Sequence, residues 1–348
     1  MFRQVAAVLS CCLLSAMQVH CFINGWSQAT NLLLAGSKTY LSYSDSIAAG
    51  ANHAMSECKH QFKWDRWNCP DNSLSLFTEL NPTREMSFIH AINTAGIMFT
   101  LTKNCSLGDF TKCGCDNSKI GQMGGDDWQW GGCSDNVNFG ERLSKNFIDE
   151  LETGDDARAV ANLHNNEVGR KVVRKNMQRR CKCHGVSGSC SVQTCWDQLA
   201  DFRVIGSILK KKYLDAVRVN YVRGQLINGK VASRTEEGET SQDSTLLKKT
   251  NLVYLEKSPD YCDANSTIGT RGTEGRECLR SPKDDASVDE LASWEHHSCK
   301  RLCTKCGLRV TRTKIVVESR CNCQFQWCCN VRCDTCKSEK TVYACEIL

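Results

Sequence analysis

Twenty-five of the 348 residues are cysteine, and they are unevenly spread. Ten lie between Cys58 and Cys195 in close sequential pairs, none falls between 196 and 261, and twelve crowd into the stretch from Cys262 to Cys345. So many thiols do not persist unless bridged or metallated, so one feature constrains both compartment and fold. Arg3 precedes a short run, Val5 to Val19, that is mostly apolar with small residues near its end. This predicts a cleaved signal peptide over residues 1–22, and a mature protein secreted into the oxidising extracellular space and matrix. Loss of Cys11, Cys12 and Cys21 leaves 22 cysteines, enough for eleven bridges with no odd thiol. No later stretch reaches the roughly 18 apolar residues of a membrane span.

Composition adds two limits. A hydrophobic content of 41% allows a real core. A net charge of +5 makes a mildly basic surface, which does not mark a nucleic-acid binder. Acidic extracellular glycans, heparan sulfate among them, fit such a surface.

The cysteine-free gap separates two architectures, giving an α+β, disulfide-rich fold: an N-terminal helical domain over 23–221, a linker over 222–257 and a C-terminal cystine-rich domain over 258–348. Four helices are predicted in the first part. Arg84 to Lys103 aligns Phe88, Ile92, Ala95, Phe99 and Thr102 on one stripe, widened by Met86, Ile89 and Met98. Val137 to Glu152 repeats Leu143, Phe147 and Leu151. Asp155 to Arg180 opens on capping aspartates and ends in Arg170, Lys171, Arg174, Lys175, Arg179 and Arg180, cations that complement a helix C-terminus. Trp196 to Tyr213 turns Leu199, Phe202, Ile205 and Leu209 inward. A weaker helix, Leu41 to Phe62, is interrupted by Gly50. The stretch VASRTEEGETSQDS has no period and reads as the linker. Two sequons, at Asn104 and Asn265, mark glycosylated loops.

Two cysteine ladders carry the chemistry. In CKCHGVSGSC, Cys181 to Cys190, followed by Cys195, the bridges Cys181–Cys195 and Cys183–Cys190 close a very short hairpin; their offset calls for a bulge. Cysteines two apart on a strand share a face, so Cys321 and Cys323 meet Cys336 and Cys333 on a returning strand with a small irregularity. Cys328 and Cys329 can bridge each other in the tight turn between. The first tip holds Ser187 out between glycines. The second presents Phe325, Trp327 and Val331, and an exposed apolar tip marks a contact site. Cys303-x-x-Cys306 and Cys333-x-x-Cys336 have zinc-like spacing, but in a secreted chain with an even count the disulfide reading is preferred and no metal is expected. Gly185-Val186-Ser187-Gly188-Ser189 misses the G-x-S-x-G elbow by one residue and has no parallel-sheet pattern around it; His184 is adjacent rather than on a distant loop. No catalytic residue is assigned and no enzyme is expected. A hydroxyl at such a tip can instead carry an acyl ester.

CKCHGVSGSC resembles the signature of the Wnt family of secreted signalling glycoproteins. The resemblance extends through KWDRWNCP at 63–70, WQWGGCSDNVNFG at 128–140, DARAVANLHNNEVGR at 156–170, SPDYC at 258–262 and CQFQWCCNVRC at 323–333, and is closest to the eighth vertebrate subgroup. It implies a helical domain carrying a hairpin "thumb" (181–195) and a cystine-rich "index finger". It implies palmitoleate on Ser187, added by the acyltransferase Porcupine, export on the carrier Wntless, and no other cofactor. It further implies that His184, Gly185, Val186, Ser187 and Gly188 of the thumb and Phe325, Trp327, Cys328, Cys329 and Val331 of the finger bind the cysteine-rich domain of Frizzled. A lipoprotein-receptor-related co-receptor is then recruited, and β-catenin signalling in developmental patterning follows. The implied bridges, beyond the two ladders and Cys328–Cys329, are Cys58–Cys69, Cys105–Cys113, Cys115–Cys133, Cys262–Cys306, Cys278–Cys299 and Cys303–Cys345. The sequence departs in separating Cys303 and Cys306 by Thr304 and Lys305, where many members have adjacent cysteines, which leaves the partners of those two open.

Overall fold

A computed structural model describes residues 37–70, 81–125, 128–152, 154–228, 247–265, 270–280, 298–327 and 330–347. The expected signal peptide, the aperiodic stretch at 231–244 and the Cys328–Cys329 bridge lie outside them. The chain divides into two compact units, one of residues 1–58 and 71–258, the other of 59–70 and 259–348. No helix among the described residues is long and apolar enough to cross a membrane.

The first unit is built around α2 (Arg84–Leu107), which follows α1 (Ser37–Gln61). Seventeen positions of α2 are buried, around its whole circumference, as expected for a helix enclosed by others. It runs past the predicted end at Lys103 until Gly108, whose φ of 86° and N–H to the carbonyls of Asn104 and Cys105 close it. Gly50, an interruption in the sequence pattern, is a packing device. A Cβ there would lie 2.7 Å from the Ile97 Cα, and one at Gly96 would lie 2.6 Å from the Gly50 carbonyl oxygen. Only paired glycines let these two backbones touch.

Two bridges organise the chain that leaves α2. Cys105, buried in its last turn, is joined to the half-buried Cys113 and so turns the chain back on the helix end. Cys115 is joined to Cys133, both half-buried, closing a loop that contains two short strands, β1 (Met123–Gly125) and β2 (Trp128–Trp130). Next to that bridge Asp116 and Ser134 form an isolated antiparallel pair, which fixes the base of the loop.

Two further helices enclose α2. Helix α3 (Val137–Ile148) is capped by Asn136, whose side chain accepts from the Phe139 N–H. It stops short of the expected Glu152, giving way to a 3₁₀ turn at Asp149–Leu151. Helix α4 (Ala157–Lys175) is capped by Asp156 through the Ala159 N–H. It ends five residues before the expected Arg180 because the chain there is claimed by strand β3 (Met177–Cys183). Arg179 and Arg180 therefore stand exposed on that strand rather than at a helix C-terminus.

One cluster of polar groups between these helices is closely paired. Arg170 is 1% exposed, yet its guanidinium donates to both carboxylate oxygens of Asp149 at 3.0 and 2.9 Å and to Glu167 at 3.0 Å. Asn166 joins them, donating to Asp149 and accepting from Thr94. His90 is fully buried, with Nδ1 3.4 Å from Glu152 Oε1. Burial holds its pKa down to about 4. The folded chain thus keeps His90 neutral at pH values where the unfolded chain protonates it. Stability is full above about pH 6.5 and falls as pH drops towards 4, by roughly 3 kcal/mol from this residue. His164, lowered by burial, acts in the same direction; Glu152, raised by burial, offsets part of the loss at the acid end. Thermal unfolding between pH 7 and 4 is expected to lose part of this slope in His90→Gln; an unchanged slope would contradict the assignment.

Helix α5 (Phe202–Leu214) starts six residues later than the Trp196 expected from its stripe. Strand β4 (Gln193–Leu199) occupies that chain, and Asp201 caps the helix through the Arg203 N–H. The linker expectation also changes. Strand β5 (Val217–Val222) pairs antiparallel with β6 (Gln225–Asn228) and parallel with β7 (Val253–Tyr254), so each described part of 222–257 contributes a strand. Asn165 of α4 fixes β7 by bonding both the N–H and the carbonyl of Val253 at 2.9 Å.

The second unit opens on a short antiparallel pair, β8 (Ala264–Asn265) with β9 (Thr270–Arg271). Its main feature is a long ribbon, β11 (Arg309–Gln326) against β12 (Asn330–Glu346), with β10 (Glu277–Cys278) on the far side of β12. Its core is largely sulfur: Cys278, Cys299, Cys303 and Cys345 surround Leu302. Residues 59–70 belong here because Arg276 donates to the carbonyls of Lys63 and Arg66, while Trp67 packs on Phe62 and Tyr261.

The remaining bridges with defined partners are Cys181–Cys195, Cys183–Cys190, Cys262–Cys306, Cys278–Cys299, Cys303–Cys345, Cys321–Cys336 and Cys323–Cys333. Cys58 and Cys69 are each disulfide-bonded as well. The Thr304-Lys305 insertion leaves Cys306 on Cys262 and Cys303 on Cys345.

Candidate functional site: the stapled thumb and the finger tip

The thumb is a hairpin of β3 and β4. Its register is regular from Met177↔Leu199 to Cys183↔Gln193, with Cys181 directly opposite Cys195. The expected bulge is not in the ladder. The offset arises because Cys190 lies beyond the last pair and reaches back from the loop to Cys183.

Four backbone bonds fold the tip on itself: His184 N–H to Val192 O, Gly185 N–H to Ser189 O, Gly188 N–H to Gly185 O, and Ser189 N–H to Val186 O, at 2.8 to 3.1 Å. They close a 3₁₀ turn over Val186–Gly188 with Ser187 in its middle. Ser187 has φ 56° and ψ 27°, the left-handed conformation that a residue with a Cβ enters at a cost of about 1–2 kcal/mol. Strain of this kind, held by two bridges and a closed turn, accumulates at working positions. Gly185 is required: a Cβ there would lie 2.5 Å from the Ser189 backbone carbonyl oxygen. Val186 is 90% exposed, and His184, Ser187 and Gly188 are also exposed. Among the described residues the Ser187 hydroxyl has no hydrogen-bond partner, whereas the neighbouring Ser189 hydroxyl is 3.2 Å from that of Ser191.

What steadies the thumb was not visible in the sequence. β4 also pairs, in parallel, with β2, which pairs in turn with β1. The loop closed by Cys115 and Cys133 is thereby docked on the hairpin, with the Asp135 N–H donating to the Asp197 carbonyl. Arg179 lies 4.6 Å over the Trp128 ring and Lys119 lies 4.3 Å over Trp130. Lys119 also reaches Asp197 at 2.6 Å, while Asp135 accepts from the Leu199 N–H and is bound by Lys103. WQWGGCSD is thus the thumb's buttress. The only signal for it was the pair of tryptophans two apart, since a parallel pairing across sixty residues leaves no local trace.

The finger tip lies at the far end of the β11–β12 ribbon. Cys321–Cys336 and Cys323–Cys333 staple it, and the ladder slips between Cys321 and Gln324, where Asn322 has φ 48°. Beyond the slip, Phe325 faces Val331 across the ladder, and both are exposed. Trp327 is 95% exposed, an extreme for the largest apolar side chain. Cys328 and Cys329 lie outside the described residues.

The two sequons differ in setting. Asn104 sits in the last turn of α2 with its amide donating to Ser46, and Cys105 beside it is buried and bridged to Cys113. Asn265 is exposed at the end of β8.

The model of the wnt family matches residues 30–346. Protein Wnt-8a of Danio rerio is 52% identical over 335 residues, which cover 94% of this chain and 91% of that protein. Protein Wnt-8b of Homo sapiens is 50% identical over 348 residues, covering 99% and 95%. A chain in the solved structure of human WLS in complex with WNT8A superposes with a TM-score of 0.65 at 48% identity, over 91% of this chain and 98% of that one. By the match along nearly all of its length, and by relatives at half identity, the chain belongs to the Wnt family.

Proposed function

We propose that this protein is a secreted, non-catalytic ligand, acylated with palmitoleate on Ser187, that grips the cysteine-rich domain of Frizzled with its thumb and its finger tip. A lipoprotein-receptor-related co-receptor is then recruited and β-catenin signalling begins. The observation that carries this reading is Ser187 itself: an open hydroxyl on a strained turn that two disulfides hold away from the fold. Each methylene of an acyl chain buried in a receptor groove contributes about 0.8 kcal/mol, with little selectivity. The exposed Phe325, Trp327 and Val331 supply specific contact. An acylated thumb is poorly soluble, so Porcupine must act in a membrane and a carrier must shield the lipid. The WLS complex of the WNT8A relative supports Wntless in that role.

Trp327→Ala tests the second grip. It removes an exposed ring with no role in the core, so folding and acylation are expected to be unchanged. Affinity for the Frizzled domain, measured by biolayer interferometry, is expected to fall by about 2 kcal/mol, some thirtyfold. Unchanged affinity would remove the tip from the site.

A further inference from the structure

The middle of the β11–β12 ribbon is exposed on both faces, from Arg312 to Val316 on one strand and from Lys337 to Lys340 on the other. Two-stranded ribbons are marginal unless packed on something, and here the bridges that join the two strands lie towards the tip, with Cys303–Cys345 anchoring β12 at the base. Among the described residues β11 pairs with β12 alone, so its outer edge is open. Ile315 and Val316 stand on that edge at 41% and 65% exposure.

We propose that β11 pairs antiparallel with β11 of a second copy of this chain, across a two-fold axis at Ile315. The reason is the order of residues. A two-fold perpendicular to the sheet keeps each face on its own side, so odd positions meet odd and even meet even. With the axis at Ile315, that residue meets its own counterpart, Thr313 meets Val317 and Thr311 meets Ser319. From 311 to 319 the β11 positions on this face carry no charge, and the central pairs are β-branched, which suits cross-strand neighbours. On the other face Arg312 meets Glu318 twice, Lys314 meets Val316, and Val310 meets Arg320.

Each neighbouring register opposes like charges. An axis at Lys314 sets that lysine against itself. One at Val316 sets Arg312 against Arg320, and one at Val317 sets Lys314 against Arg320. The slip between Cys321 and Gln324 ends the pairing before the finger tip. The result is a continuous sheet, β10-β12-β11-β11-β12-β10, that hides two edges which would otherwise invite indiscriminate pairing.

The test uses the secreted full-length chain in detergent, so that no acyl chain drives association. Ile315→Cys is expected to give a disulfide-linked dimer on a non-reducing gel, while Val316→Cys does not. Sedimentation of chains without an added cysteine gives a second reading that does not depend on a new thiol. Arg312→Glu is expected to weaken self-association about tenfold or more by placing Glu opposite Glu twice, and the double variant Arg312→Glu with Glu318→Arg to restore it. A monomeric wild-type chain, linkage through Val316→Cys instead, or stronger association of Arg312→Glu would each overturn the proposal. Pairing of β11 with a strand of another protein would show as a monomer in these experiments and overturn it equally.

Discussion

A Ser187→Ala chain is expected to fold, to carry no acyl ester, to reach the medium poorly, and to lose receptor affinity about a thousandfold or more. The fold should survive because the Ser187 side chain supports nothing: it is exposed, and no described residue bonds its hydroxyl. Alanine accepts the left-handed backbone no worse than serine does. The binding loss is large because a single long acyl chain supplies several kcal/mol of partition energy, far more than any polar contact a lone serine could make. The proper control is Ser189→Ala, two residues away, whose hydroxyl does have a neighbour in Ser191. That variant should keep acylation and binding. Measured by secretion assay and by affinity for the Frizzled domain, full binding by Ser187→Ala would sink the lipid mechanism.

The largest effect on stability is expected at Asp149. Asp149→Ala strips the fork-on-fork partner from a guanidinium that is 1% exposed and leaves it only Glu167. Breaking a buried pair from one side costs about 3–5 kcal/mol, because the surviving charge is neither hydrated nor compensated. With Glu167 still in place the lower end applies, about 3 kcal/mol, measured by denaturant unfolding of the oxidised protein. Asn166 would also lose an acceptor, loosening the Thr94 contact between α2 and α4. Replacing both partners, Asp149→Leu with Arg170→Met, should cost much less than the single change. A double variant as unstable as Asp149→Ala would show that the pair does more than satisfy its own burial.

Much of this architecture was legible in the residues, for identifiable reasons. The ladder pair Cys181–Cys195 follows from the two-residue period of a strand, and the same period puts Cys321 and Cys336 on one face, although they bridge diagonally, Cys321 standing opposite Asp334 and Cys336 opposite Ser319. The bridges Cys105–Cys113 and Cys115–Cys133 have no such local rule. They came only with the family resemblance, because a loop cysteine's partner depends on how the loop docks. The apolar tip was readable because Phe325 and Trp327 lie between bridged cysteines, with no length of chain to fold them inward. Apolar content located α2, but the single stripe read from its sequence is only part of a surface that is buried all round.

Legibility failed where distant groups decide. Trp196 to Leu199 fits a helical stripe equally well, but β3 and the parallel strand at Trp128–Trp130 claim it for a sheet. Gly50 looked like a flaw because its partner, Gly96, is 46 positions away on another helix. The residues 253–254 looked like linker because what fixes them is a side chain, Asn165, on a helix that precedes them by almost ninety residues. The thumb's turn was foreseen as a rigid presentation, but the left-handed conformation of Ser187 itself was not, because nothing in a serine announces it.

Peptide mass spectrometry of the secreted protein, over the tryptic fragment that contains Ser187, reaches furthest into the mechanism. A palmitoleoyl ester on that hydroxyl, and on no other residue of the thumb, is the expected result. An unmodified Ser187 in secreted protein that still binds the Frizzled domain would contradict it and leave the finger tip to carry recognition alone.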